Sequence, residues 1–192
     1  MPGIPTPVEP VKTEKDIKLI KKHLGDNPRN FCLFTIGINT AFRASDLVIL
    51  SVGLFRGKQV GDTFRVLEKK TKKWRTVTIN QSVHEAVQKL MKQLPANCPD
   101  DTLLFPSRKG INQPMTRQHL HALVQGWCHG INLRGAYGSH TLRKTWGYAM
   151  RTRHNVPIEV LMDAFGHSSQ KITLRYLCIQ QAEVRDAYLN NL

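Results

Sequence analysis

The stretch "DTFRVLEKKTKKWRTVTIN", residues 62–80, limits the fold more than any other. Two β-prone runs, 63–68 and 75–79, flank a lysine-rich turn, the pattern of a hairpin. With "GLFRGKQV" before it, the expectation is a small three-stranded antiparallel sheet. Most of the remaining chain repeats with helical period. Ile17, Ile20 and Leu24 share one face, and Gly25 stops that helix. Asn27 and Pro28 read as an N-cap and a first helical residue. Phe31, Phe34, Thr35, Ile38 and Phe42 then continue as a buried face. Ser45 is expected to cap a short helix in "RASDLVILSVG". Ser82 and Glu85 read as a capping box opening a helix that buries Val83, Val87, Leu90 and Leu94. Leu120, Leu123, Val124 and Trp127 mark another, and more helices are expected near 140–153, 157–165, 169–179 and 181–190. One small sheet in a mostly helical chain gives an α+β fold.

With 192 residues and 41% hydrophobic content, the chain can bury one sizeable core. "MPGIPTPVEP" is proline-rich and lacks the apolar run of a signal peptide. Residues 1–11 are therefore expected as a flexible arm, and 12–192 as one domain. No run of about 18 apolar residues suggests a membrane span, so the expected location is cytoplasmic. The four cysteines are scattered without a CxxC pair, as expected of reduced thiols. Cys128 and His129 stand side by side without the spaced second pair of a structural zinc site. Lysine and arginine total 28 against 14 acidic residues, a net charge of +14. Such a surplus attracts polyanions, nucleic acid foremost; a merely solvated basic surface is the plain alternative.

Several short motifs gain meaning together. In "SHTLRKTWGYAM", His140 and Arg143 are three apart and share a helix face. "TAFRASDL" holds Arg43 and Asp46, "EKKTKKWRTVTI" holds Lys70, and "GHSSQKITLRY" holds His167 and, nine positions later, Tyr176. Each alone has an ordinary reading. Tyr176 and His140 would fill a core, Arg43 and His167 would complement helix ends, Arg143 would lie exposed, and "KKTKK" would be a solvated turn. In this order and spacing, however, the set resembles the tyrosine recombinase (phage integrase) family over roughly residues 12–190.

The resemblance implies that family's catalytic fold and a site-specific recombinase cutting DNA through a 3′-phosphotyrosine. Tyr176 would be the nucleophile, and Arg43 and Arg143 the phosphate clamps, because guanidinium forks bind phosphate oxygens bidentately. Lys70 would protonate the leaving oxygen, with Lys69 as runner-up, and Asp46 would be the supporting carboxylate. His140 would be the better candidate for acid–base work and His167 for a phosphate hydrogen bond, two roles that the sequence itself does not separate. No cofactor or metal is implied. Lys72, Lys73, Lys109, Arg117, Lys144, Arg151 and Arg153 are candidate phosphate contacts, whereas His119 and His121 receive no catalytic role. The implied partners are double-stranded DNA sites bound by a homodimer, with a homotetramer at synapsis and association with the nucleoid. Lys144 and Trp146 stand where His and Phe are usual, and Thr78 where Pro is usual. The short chain resembles single-domain recombinases of the fimbrial-invertase kind, or a catalytic fragment without a clamp domain. A type IB topoisomerase-like enzyme and a non-catalytic DNA-binding module are the competing readings.

Overall fold

The computed structural model describes residues 8–179 together with 188 and 189. Helix α1 (Glu14–His23) starts where the Thr13 side chain accepts the Asp16 N–H, and it buries Ile20. Asn27 caps α2 (Pro28–Gly37) by accepting the Asn30 N–H, with Pro28 in the first turn as expected. The four-residue α3 (Ala44–Leu47) has Arg43 at its cap position and no side-chain cap. Ser45, expected as that cap, lies inside the helix and donates to Asp46 Oδ1 at 3.2 Å. The Asp46 and Leu47 N–H groups both bond the Arg43 carbonyl, which moves the helix start back.

The sheet has two strands, not three: β1 (Thr63–Leu67) pairs antiparallel with β2 (Trp74–Thr78), and Leu67 faces Trp74 beside the turn. The segment expected as a third strand begins instead as a 3₁₀ turn, Val52–Leu54. Its N–H groups turn elsewhere: Val52 bonds Thr102 O and Gly53 bonds Asp100 O. Phe55 is buried and sits 4.7 Å from the Phe64 ring, so packing rather than a ladder joins this segment to the hairpin.

Helix α4 (Gln81–Met91) is capped by Asn80, which accepts the Val83 N–H. The capping box expected at Ser82 and Glu85 is thus displaced, and Glu85 accepts from Gln81 at 2.6 Å instead. Val83, Val87 and Leu90 face inward. Helix α5 (Arg117–Gly130), capped by Thr116, buries Leu120, Val124 and Trp127. Helices α6 (Ser139–Thr152), α7 (Ile158–Phe165) and α8 (Gln170–Leu177) complete the described fold. The helix expected over 181–190 lies outside the described residues, except for exposed Tyr188 and Leu189. Within the stretch expected as an arm, Pro10 and Val11 are buried. There the Val11 N–H meets Thr145 Oγ1 at 2.8 Å.

Apolar side chains divide into two clusters. The larger unites α1, α2, α4, α5 and the inner hairpin face (Phe64, Val66) with Leu142 of α6. The smaller contains Ala41, Leu161, Phe165, Leu177 and Ile179, with Trp146 of α6 packed against it. Helix α6 therefore runs between two cores, and its first half is buried almost all round. Gly147 permits this: a Cβ there would stand 2.4 Å from Phe165 Cζ and 2.7 Å from Leu177 Cδ2. Overpacking of this kind typically costs about 1–3 kcal/mol. Gly147→Ala should lower the urea unfolding free energy by about that amount, while Gly126→Ala, where a Cβ meets open space, should not lower it.

Candidate active site

The site forms where the two cores meet. Ala41 adopts a left-handed backbone conformation (φ +53°) and turns the chain between α2 and α3. Its carbonyl accepts two guanidinium groups, Arg75 Nη1 at 3.0 Å and Arg143 Nη1. The last carbonyls of α7 take the others. Phe165 O accepts Arg143 Nη2 at 2.9 Å and Arg43 Nη2 at 3.2 Å, and Ala164 O accepts Arg75 Nη2. A helix C-terminus suits these donors, because its carbonyls lack helical partners and carry the negative end of the dipole. The Arg143 guanidinium also lies 4.8 Å from the Phe165 ring centre. Burial pulls Arg143 down to about 10, with Arg43 and Arg75 adding to the effect, so it stays charged at neutral pH.

Two buried carboxylates balance this charge. Glu68 Oε2 lies 2.7 Å from Arg43 Nη1, and Glu68 Oε1 lies 3.5 Å from Arg75 Nε. The Thr71 hydroxyl donates to Glu68 Oε2 at 2.6 Å. Burial alone would push the Glu68 carboxyl up, but Thr71, Arg43 and Arg75 together outweigh it and hold it below the ordinary value. Asp46 is fully buried, and its Oδ1 accepts the Lys69 backbone N–H at 2.9 Å.

The remaining groups come from α6 and the α7–α8 turn. His140 and Arg143 lie in the first half of α6, three residues apart on one face. Gly166, left-handed at φ +64°, ends α7, and His167 follows it. His167 stacks on Phe165 with ring centres 5.2 Å apart, and its Nδ1 lies 3.1 Å from Thr173 Oγ1. Tyr176, near the end of the second turn of α8, meets His167 edge to face at 5.2 Å. Its phenol oxygen lies 3.4 Å from His140 Nδ1. Burial lowers the pKa of both histidines, and neighbouring arginines lower them further. Burial raises Tyr176 despite the opposing pull of Arg143 and Arg43, so its phenol keeps its proton at neutral pH.

Arg43, Lys69, Lys70, Arg117 and His140 line one cleft of about 740 Å³. Arg43, Lys70, His140, Arg143, His167, Tyr176 and Asp46 thus come to one region from four separate stretches of sequence. Lys72 and Lys73 are exposed at the hairpin tip, and Lys109 is exposed in the loop before α5. Lys144 is not placed for a phosphate: it is buried, with its ammonium 4.9 Å from the Tyr176 ring centre and 3.7 Å from Cys178 Sγ. Arg151 sits in the last turn of α6, about 16 Å along the axis from His140 at ~1.5 Å per residue. Arg153 caps α6 and bonds Lys12 O at 2.6 Å, away from the cleft. Among the described residues, no three His, Cys, Asp or Glu side chains group to hold a metal ion.

Sequence reasoning passed over Glu68 and Arg75. Each left a signal. Glu68 is the single acid in "KKTKKWR" and its flank, and Arg75 alternates with Val77 toward the inner face of β2.

A sequence profile of the phage integrase family matches residues 11–183. The probable integrase/recombinase YoeC of Bacillus subtilis is 32% identical over 182 residues, which is 94% of this chain and 95% of that protein. Tyrosine recombinase XerC of Caldanaerobacter subterraneus subsp. tengcongensis is 27% identical over 85% of this chain but only 45% of its own length. The XerH site-specific recombinase, solved on a palindromic difH substrate after cleavage, superposes with a TM-score of 0.70 at 19% identity. That superposition covers 95% of this chain and 53% of XerH, so the chain spans about half the length of both Xer proteins.

The depressed histidines make a stability prediction. The unfolded chain takes up protons near an ordinary histidine pKa of ~6.5, and the folded site resists them. Unfolding free energy should therefore fall as pH drops below that value. Replacing His140 and His167 by Ala should flatten the fall, and NMR titration should place both imidazoles below ordinary histidine.

Proposed function

The chain belongs to the phage integrase family, and from that premise we propose that it is a site-specific DNA recombinase with Tyr176 as nucleophile. The Tyr176 oxygen attacks a DNA phosphorus, its proton passes to His140 Nδ1, and the bond to the 5′-oxygen breaks. Lys70 protonates that oxygen, which leaves as a hydroxyl. In the reverse step a 5′-hydroxyl attacks the phosphotyrosine, the tyrosine leaves and recovers its proton, and the strand is rejoined. The ester bond is stored covalently, so neither water nor ATP is consumed.

The observation that carries this reading is the 3.4 Å approach of the Tyr176 phenol to His140 Nδ1 beside a cleft lined by Arg43 and Lys70. A phenol that keeps its proton needs a base, and an imidazole held neutral supplies one. Arg43 and Arg143 stabilise the charge that builds on the non-bridging oxygens, and His167 donates to the same phosphate. Removing one such preorganised donor should slow cleavage by about 10²–10³. Lys72, Lys73, Lys109 and Arg117 hold the duplex by its backbone, so binding weakens steeply with salt. Two protomers occupy one site and four form the synapse.

The test is covalent trapping on a nicked duplex bearing the cleavage site mapped from genomic DNA. Wild type should form a denaturant-resistant adduct, and Tyr176→Phe should form none while still binding. Binding without any adduct from wild type would leave a DNA-binding module instead. A 5′-bridging phosphorothiolate tests the acid, because a sulfur leaving group needs no proton. Lys70→Ala should lose cleavage of ordinary DNA and regain it on that substrate; rescue confined to Lys69→Ala would move the role to Lys69.

A further inference from the structure

We infer that Glu68 is a positioning residue for this reaction: it fixes the Arg43 guanidinium and ties it to the hairpin carrying Lys69 and Lys70. The inference rests on Arg43 meeting the DNA phosphate, as proposed above.

The Arg43 guanidinium is held at both ends. One terminal nitrogen lies 2.7 Å from Glu68 Oε2, and the other donates to Phe165 O at 3.2 Å. Two anchors fix the plane of a group that otherwise rotates on a long side chain. The tie is reciprocal. Arg43, at the start of α3, reaches the acid of the hairpin, and the Lys69 backbone N–H of the hairpin reaches Asp46 of α3 at 2.9 Å. Each segment gives one donor and one buried carboxylate, so the lysine pair cannot drift relative to the arginine. Glu68 also closes the tip through its backbone: its N–H bonds Lys73 O, and its carbonyl accepts the Lys72 N–H, both at 3.0 Å.

Charge gives the second reason. Arg43, Arg75 and Arg143 crowd around shared carbonyls, and Glu68 is the carboxylate that faces two of them. Without it, mutual repulsion and burial both drive Arg43 outward from the cleft wall. The same negative charge opposes the approach of a phosphate. Glu68 therefore weakens ground-state attraction slightly while organising the transition state, and these effects separate in experiment.

The full chain is compared with Glu68→Ala, Glu68→Gln and Glu68→Asp. Glu68→Ala should slow single-turnover adduct formation on the nicked duplex by about 10- to 100-fold. Its DNA dissociation constant should stay within about twofold of wild type or fall below it. Glu68→Asp, which keeps the charge, should recover part of the rate, whereas Glu68→Gln should not. Backbone hydrogen exchange over 68–73 should quicken in Glu68→Ala and stay unchanged in α6. A wild-type rate in Glu68→Ala, a rate loss matched by an equal loss of affinity, or unaltered exchange over the hairpin would each overturn the inference. If wild type itself makes no adduct, the recombinase reading fails, and hairpin exchange alone then decides whether Glu68 is the tie.

Discussion

Three crowded guanidinium groups, Arg143 buried and Arg43 and Arg75 largely covered, share three backbone carbonyls and one carboxylate, and this is the constraint on which the structure turns. Like charges in a low-dielectric interior repel strongly, and each must also replace its lost hydration. The fold meets this by aiming the C-terminal carbonyls of α7 and the carbonyl of Ala41 at the cluster. Ala41 can do so only in a left-handed conformation, uncommon for a residue with a side chain. The turn between α2 and α3, the end of α7 and the register of the hairpin are thus set by one polar interior. The two apolar clusters lie on either side of it.

Much of this was legible in the sequence, for identifiable reasons. Helical faces such as Val83–Val87–Leu90 were readable because burial follows the 3.6-residue period. The hairpin was readable from its alternation. The third strand failed because "GLFRGKQV" closes on itself in turns, with Phe55 and Arg56 N–H bonding Val52 O and Lys58 N–H bonding Phe55 O, while Gly53 bonds the distant Asp100 O. The caps at Ser45 and Ser82 failed by a few residues, since Arg43 and Asn80 offered equally local starts. Among the candidate site residues, motif spacing singled out Arg43, His140, Arg143, His167 and Tyr176. It did not bring out Glu68 or Arg75, because their long-range partners, Arg43 for Glu68 and the Ala41 and Ala164 carbonyls for Arg75, stand at no fixed spacing from the hairpin. Lys144 looked like a surface cation, and only its place on the buried side of α6 turned it toward Tyr176.

Phe165 explains how so polar a site keeps its shape. Its ring stacks on His167, meets Tyr176 at 5.3 Å and Trp146 at 5.6 Å, and faces the Arg143 guanidinium. Its carbonyl receives Arg43 and Arg143. One residue thus presents an apolar surface to the rings and a lone-pair surface to the cations. Burial beside this ring lowers the His167 pKa and raises that of Tyr176, so the imidazole is favoured neutral and the phenol protonated.

The unequal size of the two apolar clusters among the described residues has an energetic meaning. Among the described residues, the larger draws on α1 to α6 and the hairpin, whereas the buried members of the one beneath α7 and α8 are Ala41, Leu161, Phe165, Leu177 and Ile179. Local opening follows the apolar contacts that must be given up. Among the described residues, the layer of α7 and α8 thus has fewer buried apolar side chains to give up than the body built on α2, α4 and α5.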